Sequence, residues 1–291
     1  MQVIKVEKIH NIRVTVPKLV ITPDPANFKG RDLFPGVYSN IFICARKNSG
    51  KTLTIRTILQ HSIDRNTKVI IFCSSIDKDS AWLSITKELA KANIDVTVHK
   101  QLLHGKKDIL AGIMATLGAG DEEEEYSGSE EEVETGLIQG DPPSRLEQKP
   151  NNPDNKEPVR RRSKWVTPDY VIIMDDISSK ELKRPSIASL LKRNRHFHIM
   201  TIISSQYVHD LSKESLLQVD LWLLFKSLPE DKIEKVYKDS NVVVNFPLFY
   251  QMYLRATERP FSFFFVDTRN NVFGQNFNIK YRINAHPPKQ N

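Results

Sequence analysis

Eight residues, Ala45-Arg46-Lys47-Asn48-Ser49-Gly50-Lys51-Thr52, constrain this chain more than any other part of it. They follow an apolar run, Asn40-Ile41-Phe42-Ile43-Cys44. They precede a stretch to His61 in which Leu53, Ile55, Ile58 and Leu59 recur on a helical period. Buried strand, loop, then a helix opening on Gly-Lys-Thr is the pattern of a phosphate-binding loop, here with Ala at its first position. Backbone N–H groups of such a loop wrap phosphates, and the helix N-terminus adds its orphan donors and positive dipole end. Lys51 is then expected to reach the β- and γ-phosphates of ATP, and Thr52 to hold Mg²⁺. Ala45 is a departure. If that position needs positive φ, Ala is costlier there than Gly by about 1 kcal/mol.

A loop of this kind belongs at the carboxyl end of a strand in a parallel sheet, and the rest of the chain supplies one. Val69-Ile70-Ile71-Phe72-Cys73 reads as a second buried strand, with a helix expected around Ser80 to Lys91, a strand over Asp95 to His99 and a helix over Leu102 to Leu117. Further on, Tyr170 to Met174, His198 to Ser204, Asp220 to Phe225 and Phe261 to Val266 read as strands. Lys180 to Arg193 reads as a helix that Pro185 kinks or restarts, and 229–239 and 246–256 read as helices. The aromatic run Phe261, Phe263, Phe264 and Phe265 reads as strand core. Apolar strands alternating with helices define an α/β fold with a mostly parallel central sheet covered on both faces. The core spans 37–118 and 164–268. Residues 1–36 read as a β-rich N-terminal extension and 269–291 as a C-terminal tail.

Residues 119–163 interrupt the pattern. The acidic runs Glu122 to Glu125 and Glu130 to Glu132 are followed by Pro142, Pro143, Pro150, Pro153 and Pro158 among polar residues. Such a segment buries too little apolar area to offset its ordering entropy, so a disordered insert is expected. It matters for charge. The chain carries a net +7, but residues 119–158 hold thirteen acidic and three basic residues, which leaves 39 basic and 22 acidic elsewhere. A body with a net +17 favours a polyanionic partner. Cys44 and Cys73 sit in apolar runs, which argues against a disulfide framework and for a reducing, intracellular location. Met1 to Lys5 does not open a signal peptide, and no apolar run approaches the roughly eighteen residues of a membrane span.

Tyr170-Val171-Ile172-Ile173-Met174-Asp175-Asp176 ends a parallel strand in two carboxylates, at the end where such sheets bind ligands. Taken alone, this is also how a turn or a helix N-cap looks. Beside a phosphate-binding loop, Asp175 is expected to hold Mg²⁺ and Asp176 to polarise an attacking water. A third strand ends in Ser204-Ser205-Gln206. If the loop and Asp175 lie on neighbouring strands, Gln206 faces the γ-phosphate and can orient water there; otherwise it is a satisfied polar group at a strand end. Arg193 and Arg195 precede that strand and stand at its far end. They suit a phosphate in a neighbouring subunit, as an arginine finger in trans, or equally a DNA phosphate or the solvent. His196 and His198 have no ligand-spaced companions and are not expected to bind metal. Lys180, Lys183, Arg184, Lys192 and Arg193 have few aromatics among them, so they suit contact with a nucleic-acid backbone, or a solvated helix face, better than base stacking.

Together, Ala45-x4-Gly-Lys-Thr52, Ile173-Met174-Asp175-Asp176, and Arg195-His196 leading a strand to Ser205-Gln206 resemble the poxvirus-type genome-packaging ATPases of large DNA viruses, in the FtsK/HerA superfamily. Asp220 ahead of its apolar strand also fits, and the resemblance covers roughly residues 36–268. It implies a RecA-like sheet, homo-oligomeric rings and ATP-driven movement of double-stranded DNA into a capsid. It further implies capsid proteins as partners, and a location at the viral assembly site in the host cell or in the virion. Ala45 and the acidic insert depart from the pattern; the insert is either a partner-binding arm or a tolerated insertion. Two other functions fit a phosphate-binding loop. A small-molecule kinase wants an Arg-rich lid and a substrate pocket, for which the sequence offers no segment. A nucleotide-dependent capsid scaffold needs only weak turnover. GTP specificity is disfavoured, since no Asn-Lys-x-Asp motif occurs.

Overall fold

Strands that are apolar at every position must be covered on both faces, and the computed structural model meets that demand with a single large sheet. It describes residues 25–126, 165–226 and 228–283, without the side chains of 119–126. In chain order the elements are β1 (Asn40–Cys44), α1 (Lys51–Ser62), β2 (Lys68–Cys73), α2 (Ser80–Lys91), β3 (Asp95–His99), β4 (Leu103–His104), β5 (Lys107–Asp108) and α3 (Ile109–Tyr126). There follow β6 (Tyr170–Asp175), α4 (Ser179–Leu182), α5 (Pro185–Arg193), β7 (Ile199–Ser205), α6 (Lys213–Leu216), β8 (Leu221–Phe225), α7 (Glu230–Ser240), α8 (Phe246–Ala256), β9 (Phe263–Asp267), β10 (Val272–Gln275) and β11 (Ile279–Lys280).

The sheet runs β11-β10-β9-β8-β1-β7-β6-β2-β3. From β8 to β3 all pairings are parallel, and β9, β10 and β11 add antiparallel strands beyond β8. Alternate residues feed two cores. Ile41, Ile43, Val69 and Ile71 pack with Ile55 and Ile58 of α1 and with Trp82 and Ile85 of α2. Phe42, Phe72, Met174 and Leu224 pack on the other face with Leu110 of α3, Ile187 and Leu190 of α5, Ile233 of α7 and Phe249 of α8. Each apolar strand residue thus finds helix on one face or the other, as a crossover-connected parallel sheet requires. This is an α/β fold of the RecA-like, mostly parallel type.

Three expectations need correction. The helix expected from Leu102 begins instead with the β4–β5 hairpin, and α3 starts at Ile109 and runs on to Tyr126, past the boundary drawn at 118. Asp108 marks the change: its carboxylate accepts from the Ala111 N–H at 3.0 Å, the position of a helix N-cap. The C-terminal tail drawn from 269 contains β10 and β11, which extend the central sheet. Gly274 explains why that strand does not read as one. A Cβ at this position would lie 2.3 Å from the Ile279 carbonyl oxygen, so close pairing of β10 with β11 admits only glycine. Finally, Phe28 and Phe34, drawn inside an extension, are buried in the core with Val37, and Phe28 bridges to Val166. Pro185 restarts the helix rather than kinking it: α4 ends at Leu182, and Pro185 is the first residue of α5. The remainder of the expected extension, residues 1–24, and the expected insert from 127 to 163 lie outside the described residues.

Candidate nucleotide site

The loop between β1 and α1 folds as its residues demand. Positive φ falls at Asn48 (60°) and at Gly50 (93°), the N-cap of α1. Ala45 is not among the positive-φ residues; it continues β1, with its N–H donating to the Ser205 carbonyl at 2.9 Å. The Ala-for-Gly departure therefore carries no backbone penalty. The Ser49 hydroxyl donates to the Arg46 carbonyl at 2.5 Å and closes the loop on itself. No acidic residue occupies the first turn of α1, so nothing in that turn competes with an anion at the helix N-terminus.

Asp175 ends β6 and is 2% exposed. Its Oδ1 lies 2.9 Å from the Lys51 ammonium, and its Oδ2 accepts from the Trp82 indole N–H at 2.9 Å. Trp82 is fully buried on α2, so a carboxylate that would otherwise be costly to bury is held from both sides. The next residue, Asp176, has φ 55°. This left-handed turn at the strand end leaves it exposed beside Ser74 at the end of β2. The Ser74 hydroxyl donates to the Asp176 carbonyl at 2.7 Å and is 3.3 Å from its Oδ2. Asp and Asn tolerate that conformation better than other L residues, which fits the residue type found.

These groups share one cleft of about 590 Å³, lined among others by Lys47, Asn48, Gly50, Lys51, Thr52, Lys78, Asp175 and Asp176. It lies at the carboxyl ends of the parallel strands, where ligands bind in such sheets. Thr52 and Asp175 both line this cleft, and an octahedral Mg²⁺ that keeps its waters and takes phosphate oxygens asks no more of the protein than one or two side-chain oxygens. The donor set therefore fits Mg²⁺ carried in with a nucleotide. Among the described residues no group of three or more His, Cys, Asp or Glu could hold a metal by itself.

The other expected residues are spread more widely. The loop strand β1 and the carboxylate strand β6 are not neighbours; β7 lies between them. Gln206 follows β7, so it emerges between the two, and its carbonyl accepts from the Cys44 thiol at 3.6 Å. It does not line the cleft. Arg195 is exposed ahead of β7, at the end of the sheet away from the loop. Arg193, also exposed, stacks on Phe197 at 4.7 Å. The expected basic cluster is partly neutralised within the chain, because Arg184 pairs with Asp108 at 2.8 Å and Lys192 pairs with Glu214. His198 stacks on Tyr38 and lies 2.9 Å from Asp169. Cys44 and Cys73 are both free and buried, and burial, with Asp210 nearby, pushes the Cys44 thiol up to about 12.

Two residues of the site are not legible as site residues in the sequence. Trp82 stands on the apolar face of α2 with Ile85 and Leu89 and reads as core; its indole partner is 93 residues away. Phe261 reads as the start of an aromatic strand. Instead β9 begins at Phe263, and Phe261 is 70% exposed at the cleft.

Sheet order, loop and paired carboxylates define a P-loop NTPase fold. No protein-family model matches the sequence, and no curated protein matches it. Among solved structures, the chain is similar to the genome packaging NTPase B204 from Sulfolobus turreted icosahedral virus 2 in complex with AMP. The TM-score is 0.49 at 15% identity, over 86% of this chain and 100% of that one. The DNA-packaging ATPase B204 from Sulfolobus turreted icosahedral virus gives a TM-score of 0.47 at 15% identity, over 82% and 96% of the two chains. The EccC ATPases 2 and 3 of Thermomonospora curvata, in complex with a signal sequence peptide, give 0.40 at 13%, over 85% of this chain and 37% of theirs.

Proposed function

We propose that the chain is a Mg²⁺-dependent ATPase that moves double-stranded DNA into a viral capsid. The observation that carries the ATPase reading is the meeting of Lys51 and Asp175 at 2.9 Å in one cleft with Thr52 and Asp176. The point where the ammonium and the carboxylate meet is where a phosphate oxygen and its metal are expected to sit. The loop's N–H groups and Lys51 would bind the β- and γ-phosphates, and Thr52 and Asp175 would hold Mg²⁺, which neutralises charge on the transferred group. Asp176 is exposed next to that point and would take the proton from a water. The water's oxygen then bonds to the γ-phosphorus as the bond to the ADP oxygen breaks. Gln206, emerging between the loop strand and the carboxylate strand, is the candidate for orienting that water.

The DNA part of the reading rests on the motif resemblance, in which Arg195-His196 leading to Gln206 is the most specific element, and on the net +17 outside residues 119–158. Capsid proteins and a homo-oligomeric ring belong to the same reading. No helix among the described residues is long and apolar enough to cross a membrane. Phosphate release measured with and without DNA tests the whole. Wild type should be stimulated by double-stranded DNA. Lys51→Ala should lose both nucleotide binding and turnover. Asp176→Asn should keep binding and lose turnover by about a hundredfold or more. Near-normal turnover by Asp176→Asn would remove it from water activation. A DNA-insensitive rate together with phosphate transfer to a small-molecule acceptor would favour a kinase, and weak DNA-insensitive turnover on capsid binding would favour a scaffold.

A further inference from the structure

Phe261 occupies a position that its residue type does not explain. It lies in a turn in which the Ser262 N–H reaches the Arg259 carbonyl at 3.3 Å, with Pro260 second and Phe261 third. The φ of Phe261 is +61°. Proline followed by a positive φ is the arrangement of a type II turn, whose third position calls for Gly or Asn. A bulky aromatic there is a backbone outlier, and such outliers concentrate at ligand sites. The side chain gains no burial in exchange, since it is 70% exposed while Phe263 and Phe264 two and three residues on are buried.

The ring stands instead at the nucleotide cleft. A Cβ on Gly50, the last loop residue before Lys51, would lie 3.5 Å from the Phe261 Cδ1. The same cleft is lined by Leu53, which is 58% exposed in the first turn of α1. A cleft whose other lining is largely polar, Lys47, Lys51, Lys78, Asp79, Asp175 and Asp176 included, thus has an apolar lip of one aliphatic and one aromatic side chain. Phosphates have no use for such a lip, whereas a flat heteroaromatic base does: aromatic faces bind bases by stacking and with little regard to their hydrogen-bonding edges.

We infer that Phe261, with Leu53, forms the platform that takes the base of the nucleotide whose phosphates the loop holds. The inference rests on the ATPase reading above and adds the base subsite to it. It also implies weak discrimination among purine bases, because stacking reads a π-face rather than a donor and acceptor pattern.

Calorimetric titration of the full chain with ATP, GTP and base-free tripolyphosphate, each with Mg²⁺, tests it. Wild type should bind ATP and GTP alike and tripolyphosphate more weakly. Phe261→Asn is the informative variant, since Asn accepts the left-handed conformation and should leave the turn intact. It should weaken ATP binding by about fivefold or more while leaving tripolyphosphate unchanged, and Phe261→Trp should retain ATP affinity. Equal ATP affinity in Phe261→Asn and wild type would overturn the platform. So would parallel losses for ATP and tripolyphosphate, which would mean that the ring only props the loop, and so would loss of self-association at unchanged affinity, which would make the ring an interface residue. Failure of wild type to bind either ATP or tripolyphosphate would instead remove the ATPase reading itself.

Discussion

Asp175 is a buried carboxylate with an ion pair at one oxygen and a hydrogen bond at the other, and the two partners differ in kind. Lys51 brings a mobile charge from the loop, 14% exposed and able to follow a phosphate. Trp82 brings a fixed indole N–H from inside the core that α1 and α2 cover, with no exposure at all. The indole therefore sets which way the carboxylate plane faces, and with it where Oδ1 is presented to the cleft. Partners of this sort tune metal sites by about 10- to 100-fold in affinity. Phe at position 82 keeps the packing of the ring and loses the N–H. Trp82→Phe is accordingly expected to fold, to bind ATP without Mg²⁺ as wild type does, and to need about tenfold more Mg²⁺ for half-maximal turnover. A Mg²⁺ dependence identical to that of wild type would show that the indole only packs. Loss of ATP binding in the absence of metal would show a general disturbance of the loop.

At the level of elements, one side chain joins pieces that the sequence keeps far apart. The Asp108 carboxylate caps α3 through Ala111 and accepts from Arg184 at 2.8 Å and Ser186 at 2.9 Å, both at the start of α5. Burial pushes this carboxyl up, but the bonds from Ala111, Arg184 and Ser186 outweigh it and hold it below the usual 3.8. A depressed folded pKa contributes stability that is present above the unfolded value near 3.8 and is lost as pH falls through the folded value. Asp108→Ala should therefore destabilise the fold at neutral pH by about 2 kcal/mol, from a lost cap and lost charge-assisted bonds, and the difference from wild type should shrink below about pH 4. A denaturation midpoint equal to wild type at pH 7 would count against this junction. The same region shows what a sequence can and cannot convey. Strands β1, β2, β6 and β7 are legible because burial on both faces writes them as continuous apolar runs, and the loop is legible because its chemistry is contiguous. The β4–β5 hairpin is hidden because Leu102, in the bend ahead of β4, and Leu110, in α3, fit one helical period and pack on one core. Strand β10 is hidden by Gly274, whose reason lies in the Ile279 carbonyl of the facing strand. Trp82 and Phe261 are hidden for a like reason: what they touch is fixed only once β6 and the loop have been brought beside them.

The whole molecule places its two kinds of candidate phosphate ligand at opposite ends of the sheet. In the register of β1 with β7, Cys44 pairs with Ser205, so the loop end of one strand coincides with the Gln206 end of the other. Arg195 precedes Ile199 at the far end, and the seven residues of β7 alone span about 20 Å. Arg195 therefore cannot serve the cleft of its own chain, and its exposure ahead of the strand leaves it available to another. If subunits close into a ring by head-to-tail contacts, each cleft faces a neighbour's surface, and a guanidinium from that surface can stabilise charge developing on the phosphoryl group. The structure of one chain is compatible with that arrangement, and a mixing experiment discriminates it. Arg195→Ala should bind ATP normally and hydrolyse it at least about a thousandfold more slowly. Lys51→Ala should be inactive for the separate reason that its own loop is disabled. Mixed, the two dead proteins should recover turnover, because some intact clefts of Arg195→Ala subunits would then face an intact Arg195 on a Lys51→Ala neighbour. The recovered rate should pass through a maximum at intermediate mixing ratios and vanish under conditions that separate the subunits. If Arg195 holds only a DNA phosphate, the outcome differs at each step: the single variant keeps its basal rate, loses stimulation by DNA with a shallower salt dependence, and gains nothing on mixing.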